Sequence, residues 1–134
     1  MIPRFLQTAT LLSAVTLAAF ASPQQDLKRC YDEARSTYAM RQCSAEEFRI
    51  YDQALNESYR QLMHRLDPTE RRNLREAQRA WIRYRDAECR FEGFEMRGGT
   101  GEALLVGECL AEMTRRRAGG LRKILEGIRQ REGN

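Results

Sequence analysis

The sequence predicts an all-α protein, a small bundle of about four helices stapled by disulfides. Three observations carry this. Beyond residue 22 the chain is rich in Arg, Glu, Gln, Ala and Leu, which lose little freedom in a helix, while valine and isoleucine are scarce. The apolar residues recur at intervals of three and four, the period of a helix with one buried face. The three prolines, at positions 3, 23 and 68, all fall outside the periodic segments.

The elements follow in order. A first helix is expected over Gln24 to Arg35, just after Pro23. Ser36 or Thr37 can cap a second, running from Tyr38 to Leu66. Its stripe is Cys43, Phe48, Tyr51, Leu55, Tyr59, Leu62 and Leu66. Asp67-Pro68-Thr69-Glu70 is the sharpest local signal: a capping aspartate, a proline suited to the first helical position, and a glutamate that closes a capping box. The third helix then runs to Phe91, with the stripe Leu74, Ala77, Trp81, Tyr84 and Glu88 or Cys89, and Gly93 can end it. So short a link predicts an antiparallel αα-hairpin. Residues 94–101 read as a loop. A fourth helix begins near Glu102 and carries Leu105, Cys109, Met113, Leu121, Ile124, Leu125 and Ile128. Gly119-Gly120 predicts a kink or break in it, since each glycine costs about 1 kcal/mol relative to alanine in a helix.

The first 21 residues read as a signal peptide. Arg4 gives a short positive start, residues 5–20 are uncharged, and Ala19-Phe20-Ala21 places small residues where a signal peptidase reads them. A membrane span needs roughly 20 apolar residues, so this run is short for one and stable membrane insertion is not expected. Cleavage leaves residues 22–134 as one domain and, with Arg4 gone, a net charge of +3. A periplasmic or secreted location follows. Basic residues are not clustered with aromatics, so nucleic acid is not expected as a partner.

Cys30, Cys43, Cys89 and Cys109 are four cysteines in a short exported chain, the pattern of two disulfides. Three pairings are available. The helix layout favours neighbours, Cys30 with Cys43 and Cys89 with Cys109. No CxxC occurs and His64 is the sole histidine, so a metal site is not expected.

No catalytic constellation emerges. His64 lies beside the second helix's stripe among Arg and Met and reads as a surface side chain. A hydrolase needs nucleophile, base and orienting group in one cleft. The protein therefore reads as a non-enzyme without a cofactor. Gly98-Gly99-Thr100-Gly101 precedes a helix as phosphate-binding loops do, but it lacks the Lys-Ser/Thr ending and no strand leads into it. Two readings of this segment stand: a turn capped by Thr100, or a recognition loop framed by Phe94, Met96 and Arg97 and held by Cys89 and Cys109. In the second, Glu92, Glu95, Arg97, Gly98, Gly99, Thr100 and Glu102 bind a protein partner. Trp81 reads as core and Tyr84 as half-buried, with Arg85 and Asp86 fixing the third helix through polar contacts.

Taken in order, these residues resemble the lysozyme-inhibitor LprI-like family of exported bacterial proteins. The resemblance rests on Cys30 and Cys43, Leu55-Asn56 with Tyr59, Ala77-Gln78-Arg79-Ala80-Trp81-Ile82, Tyr84-Arg85-Asp86 with Cys89, Gly98-Gly99-Thr100, Cys109, Met113-Thr114 and Arg117. It covers Leu27 to Leu121. It implies a helical, disulfide-bonded domain in the periplasm or at the cell surface, and the family's name implies inhibition of lysozyme; occlusion, with the loop from Glu92 to Glu102 entering the cleft, is the mechanism expected here. Gly119-Gly120 departs from the family, in which a helix usually continues there. A net charge of +3 opposes long-range attraction to a basic enzyme, whereas Glu92, Glu95 and Glu102 would supply a local acidic patch. The alternative is an envelope-interaction or immunity-type module with another protein partner. The signal-peptide reading predicts that the mature chain starts at Ser22 or within a few residues of it. Intact-mass measurement on envelope-fraction protein tests this, and retention of residues 1–21 would refute it.

Overall fold

The computed structural model describes residues 22–133, so the signal-peptide reading of residues 1–21 lies outside them. Four helices account for most of the described chain: α1 (Pro23–Glu33), α2 (Thr37–Arg65), α3 (Pro68–Glu92) and α4 (Glu102–Glu132). A short 3-10 turn, Gly93–Met96, joins α3 to α4. None of the four is long and apolar enough to cross a membrane.

The helix starts follow from capping. Ser22 accepts from the backbone N–H of Gln25, whose side chain accepts from the N–H of Ser22, and Pro23 opens α1. Ser36 caps α2 through the N–H of Ala39. Asp67 accepts from the N–H groups of Thr69 and Glu70, and Glu70 reaches back to the N–H of Asp67, the capping box expected of that tetrapeptide. Gly93 ends α3 as anticipated.

α2 and α4 lie side by side and parallel. Ser44 meets Gly107 at one end, and Arg65 pairs with Glu132 at the other. Between them Leu55, Leu62, Ala118, Leu121 and Leu125 form the core, with Tyr59, Leu66, Leu74, Trp81 and Ile128 packed around it. Burying each leucine contributes about 2–3 kcal/mol. α3 runs antiparallel to both. Arg117 donates to Gln78 (3.0 Å), and Cys89 joins Cys109 near the other end. The hairpin sense was correct, but α2 and α3 are not the closest pair. Small residues, Ser44 and Gly107 among them, let α2 and α4 approach, while Trp81 and Arg85 hold α3 further from α2.

The disulfides are Cys30–Cys43, with a Cα separation of 5.8 Å, and Cys89–Cys109, at 5.4 Å. Neighbour pairing is therefore correct. The first bond and the buried Leu27 fix α1 on α2. Each closure contributes about 3 kcal/mol by loss of unfolded-chain entropy.

Three expectations need correction. α4 passes through Gly119-Gly120 without a break. Ala118, Leu121 and Leu125 bury one continuous face on both sides of the pair, which outweighs the glycine penalty. Ile124 is not on that face and is 54% exposed. The α3 stripe is shifted: Gln78 and Arg85 are buried, whereas Ala77 and Tyr84 are exposed and Trp81 is half-buried. The inward row is Leu74, Gln78, Trp81, Arg85 and Cys89, at spacings of four, three, four and four.

The glycines of α4 are predicted to respond in opposite directions. A Cβ on Gly107 would lie 2.7 Å from Ser44 Oγ, inside a buried contact, whereas one on Gly119 meets nothing within 4 Å. Gly107→Val should destabilise by about 1–3 kcal/mol through overpacking. Gly119→Ala should stabilise by about 0.5–1 kcal/mol through helix propensity. Thermal unfolding under non-reducing conditions measures both, and a shared sign would refute the seam geometry.

Candidate functional site

The site begins where α3 ends. Its chain reversal occupies residues 93–101, between two helices that the Cys89–Cys109 disulfide holds together. Gly93 is required at the first step, because a Cβ there would stand 2.7 Å from Val106 Cγ2 on α4. Gly98 has φ +76°, the left-handed region that glycine enters without strain. Three main-chain bonds close the turn: Arg97 N–H to Phe94 O (3.2 Å), Gly99 N–H to Met96 O (2.9 Å) and Glu102 N–H to Gly99 O (3.3 Å). Glu102 Oε2 accepts from the Gly98 N–H at 2.8 Å. The segment is thus an internally bonded turn.

That geometry separates the expected partner-binding residues. Glu92, Glu95, Arg97, Gly98, Gly99 and Thr100 are exposed. Glu102 is partly buried and serves the turn itself, so it is a positioning residue. The expected Thr100 cap does not form; Gly101 is the N-cap of α4, with no side-chain cap bond. Arg97 lies over the Phe94 ring, 4.7 Å from its centroid. Phe91, Phe94 and Met96 are 72%, 56% and 52% exposed, an apolar cluster at the molecule's tip. Phe91, Glu92, Phe94, Glu95 and Leu105 line a shallow groove there of about 330 Å³. Phe91 escaped the sequence reading because it falls on the last turn of a helix whose inner face was misplaced by one position.

Beneath the tip, Arg85 ties three helices together. Its guanidinium lies 5.3 Å from the Phe48 ring of α2 and 5.1 Å from that of Trp81. It donates to Asp86 Oδ1 (2.8 and 2.9 Å) and to Thr114 Oγ1 of α4 (3.3 Å). The sequence reading assigned Arg85 and Asp86 to polar contacts that fix α3, and the geometry agrees. Arg117 covers Trp81 at 5.8 Å, and burial pushes its pKa down from the usual guanidinium range.

Charge is segregated along the bundle. Residues 84–114, which form the tip and the helix segments below it, carry seven acidic side chains against three basic. Residues 115–133, which carry α4 from there to the opposite end, hold seven basic against two acidic, with Arg115 and Arg116 paired to Glu112 across that boundary. Near the tip, Glu92, Glu108 and Glu112 border one surface hollow with Met113 and Arg116. On the adjoining flank Tyr31 donates to Glu47 at 2.8 Å. Burial first, and then this bond, push the Tyr31 phenol well above its usual range, so it remains a donor. His64 is exposed on α2, in the half of that helix away from the tip.

Sequence comparison gives the family. The family described as "Lysozyme inhibitor LprI" matches residues 21–121. The chain belongs to this family. An uncharacterized protein of Rhizobium meliloti (strain 1021) is 34% identical over 129 residues, covering 87% of this chain and 90% of its own. No solved structure matches. The family's description names an inhibitor of lysozyme, which is itself a protein.

Glu112 gives the tip region a measurable acid response. Hydrogen bonds from Arg115, and then Arg116, hold its carboxyl down to about 2 from the ordinary 4.5. A depressed folded-state pKa means stability present above about 4.5 and lost as pH falls through about 2. The side chain is 40% exposed, so solvent screening keeps the effect small. Glu112→Gln is predicted to flatten the fall in melting temperature across that window at low salt. An unchanged slope would refute the pairing.

Proposed function

We propose that this protein is a non-enzymatic inhibitor that blocks a lysozyme-type glycosidase by seating the tip between α3 and α4 in the enzyme's cleft. The observation that carries the reading is the tip's composition and rigidity: Phe91, Phe94 and Met96 exposed beside Glu92 and Glu95, on a turn closed by its own hydrogen bonds. A glycosidase cleft binds sugar rings by their apolar faces and hydroxyls, and its catalysis relies on a pair of carboxyl groups. An occluding protein needs a convex apolar projection with polar atoms at its edge, and a preorganised turn loses little entropy on entry. Family membership supports the same reading.

The acidic patch must be narrowed from its sequence-level form. Glu102 is engaged inside the turn, so Glu92 and Glu95 are the carboxylates available to a partner. Set against the basic rim of a basic enzyme's cleft rather than its carboxyl pair, they supply the complementary sign.

Glu92→Lys with Glu95→Lys should weaken inhibition at least tenfold at low salt, with a smaller loss at moderate salt. Phe94→Ser should weaken it at both. Glu126→Lys with Glu132→Lys, at the opposite end, should leave it near wild type. Inhibition constants against purified lysozymes, on variants of matched melting temperature, make the comparison. Equal inhibition by wild type and the tip variants would remove the tip from the mechanism. Absence of binding by the wild type to every lysozyme class would leave the envelope-interaction module as the reading.

A further inference from the structure

We infer that the outer face of α3 is a docking surface for an anionic lipid bilayer. The face carries Arg72, Arg75, Arg79, Arg83 and Arg90, all exposed. Their spacing of three, four, four and seven places them in one row along an exposed flank of α3, apart from the buried row of Leu74, Gln78, Trp81, Arg85 and Cys89. At about 1.5 Å per residue the row is roughly 27 Å long.

What distinguishes this face is a continuous row of exposed arginines without carboxylate partners, Arg72 donating only to the Thr69 hydroxyl. Elsewhere many exposed basic residues sit in carboxylate pairs, Arg29 with Asp26, Arg49 with Glu46, Arg60 with Glu57, Arg115 and Arg116 with Glu112, Arg122 with Glu126, and those without one, such as Arg35, Arg41 and Arg97, do not form a row of this length. Among the described residues, none of the five arginines of the α3 row forms an ion pair. Between Arg71 and Arg85 the sole acidic residue is Glu76. Asp86 is already bound by Arg85. Arg75, Arg79 and Arg83 follow one another at i,i+4, where like charges each cost a few tenths of a kcal/mol. The fold gains nothing from this repulsion, because the row touches no other element's carboxylates. A partner that supplies many negative charges in a plane would relieve it.

Shape selects the partner. A helix flank is convex, so the row suits a flat surface better than a small anion needing an enclosing site. Arginine forks bind phosphate oxygens bidentately, which matches lipid headgroups. Ile82, 39% exposed and three residues on from Arg79, borders the row and offers apolar atoms at headgroup depth. A single-stranded nucleic acid would call for aromatics interleaved within the row, and the row has none. The acidic residues of the tip lie on the α3–α4 turn, so an anionic surface that attracts the α3 row repels the tip and leaves it free for a protein.

Co-sedimentation of the disulfide-intact mature protein with vesicles tests this, using phosphatidylcholine alone and phosphatidylcholine mixed with phosphatidylglycerol. Binding is expected only to the mixed vesicles, and to fall with salt. The variant R72Q/R75Q/R79Q/R83Q should lose at least tenfold in partitioning, since each basic residue near such a surface is worth about 1 kcal/mol. R115Q/R116Q/R122Q/K123Q removes the same formal charge from α4 and should retain most binding. Should the quadruple α3 variant melt early, R79Q/R83Q against R79K/R83K separates charge from folding, with binding kept only by the lysine pair. Equal loss in the α3 and α4 variants would reduce the effect to net charge and overturn the proposal. So would absence of binding to the mixed vesicles, or binding to soluble polyphosphate without binding to vesicles. No lysozyme enters this assay, so its outcome is independent of the inhibitor reading.

Discussion

A single guanidinium sits where three helices meet. Arg85 is only 9% exposed, yet it belongs to α3, stacks on Phe48 of α2 and bonds to Thr114 of α4. Burying a cation is costly unless its donors are met and its charge is answered. Here both conditions hold at once. Asp86 takes two donors and stays partly in water, which lowers the cost of desolvating the pair. Phe48 and Trp81 present π-faces to the charge, an attraction worth more where water is thin. Among the described residues no buried side-chain nitrogen or oxygen lacks a partner. Because these requirements can be satisfied in one arrangement only, Arg85 sets the rotation of α3 about its axis. That rotation aims Cys89 at Cys109 and turns the arginine row outward.

The same residue marks the limit of what the sequence discloses. Helix number, starts and order were legible because they depend on local chemistry: a capping box at Asp67, a proline after it, a glycine at the end of α3. The disulfide pairing was legible because it followed from helix order. The inner face of α3 was not. A periodicity argument scores Ala77 and Tyr84 as apolar and Gln78 and Arg85 as polar, and so displaces the stripe by one residue. Arg85 becomes interior because Phe48 on α2 and Thr114 on α4 meet it beside its own helix's Trp81, and those two come from other parts of the chain. Gly119-Gly120 misled for a related reason. Propensity is local and weak, and a buried leucine face extending past both glycines is neither. At the site, the glycines and flanking glutamates were legible, but Glu102 changed role, since its bond to the Gly98 N–H depends on the turn's shape.

Rigidity at the tip is inherited from the seam between α2 and α4. Ser44 and Gly107 bring those helices together near the tip, and Gly93 admits the 3-10 turn against Val106 just beyond. The disulfide then fixes α3 to α4 below the turn. Each device removes freedom from the same short segment, and the exposed Phe91, Phe94 and Met96 are carried on it. Exposed aromatics are expensive in water, and a scaffold that holds them out gives them no chance to collapse inward. Under the proposed function this charge-rimmed cluster is what the partner would cover.

Net charge is a poor guide to what such a molecule attracts. The mature chain is +3, which would oppose a basic partner if its charge were spread evenly. It is not spread evenly. α4 alone extends about 46 Å, several times the screening length of about 8 Å at physiological salt. A partner approaching the tip is therefore governed by the excess of acidic side chains in residues 84–114, and hardly senses the basic excess of residues 115–133. Seen from farther away the two ends act as a dipole, and a dipole turns before it touches. A basic surface would draw the tip toward itself and push the opposite end away. Orientation of this kind raises the productive fraction of encounters without adding a contact to the bound state. The antiparallel placement of α3 on α4 makes it possible, because it brings the acidic end of one helix beside the acidic start of the next.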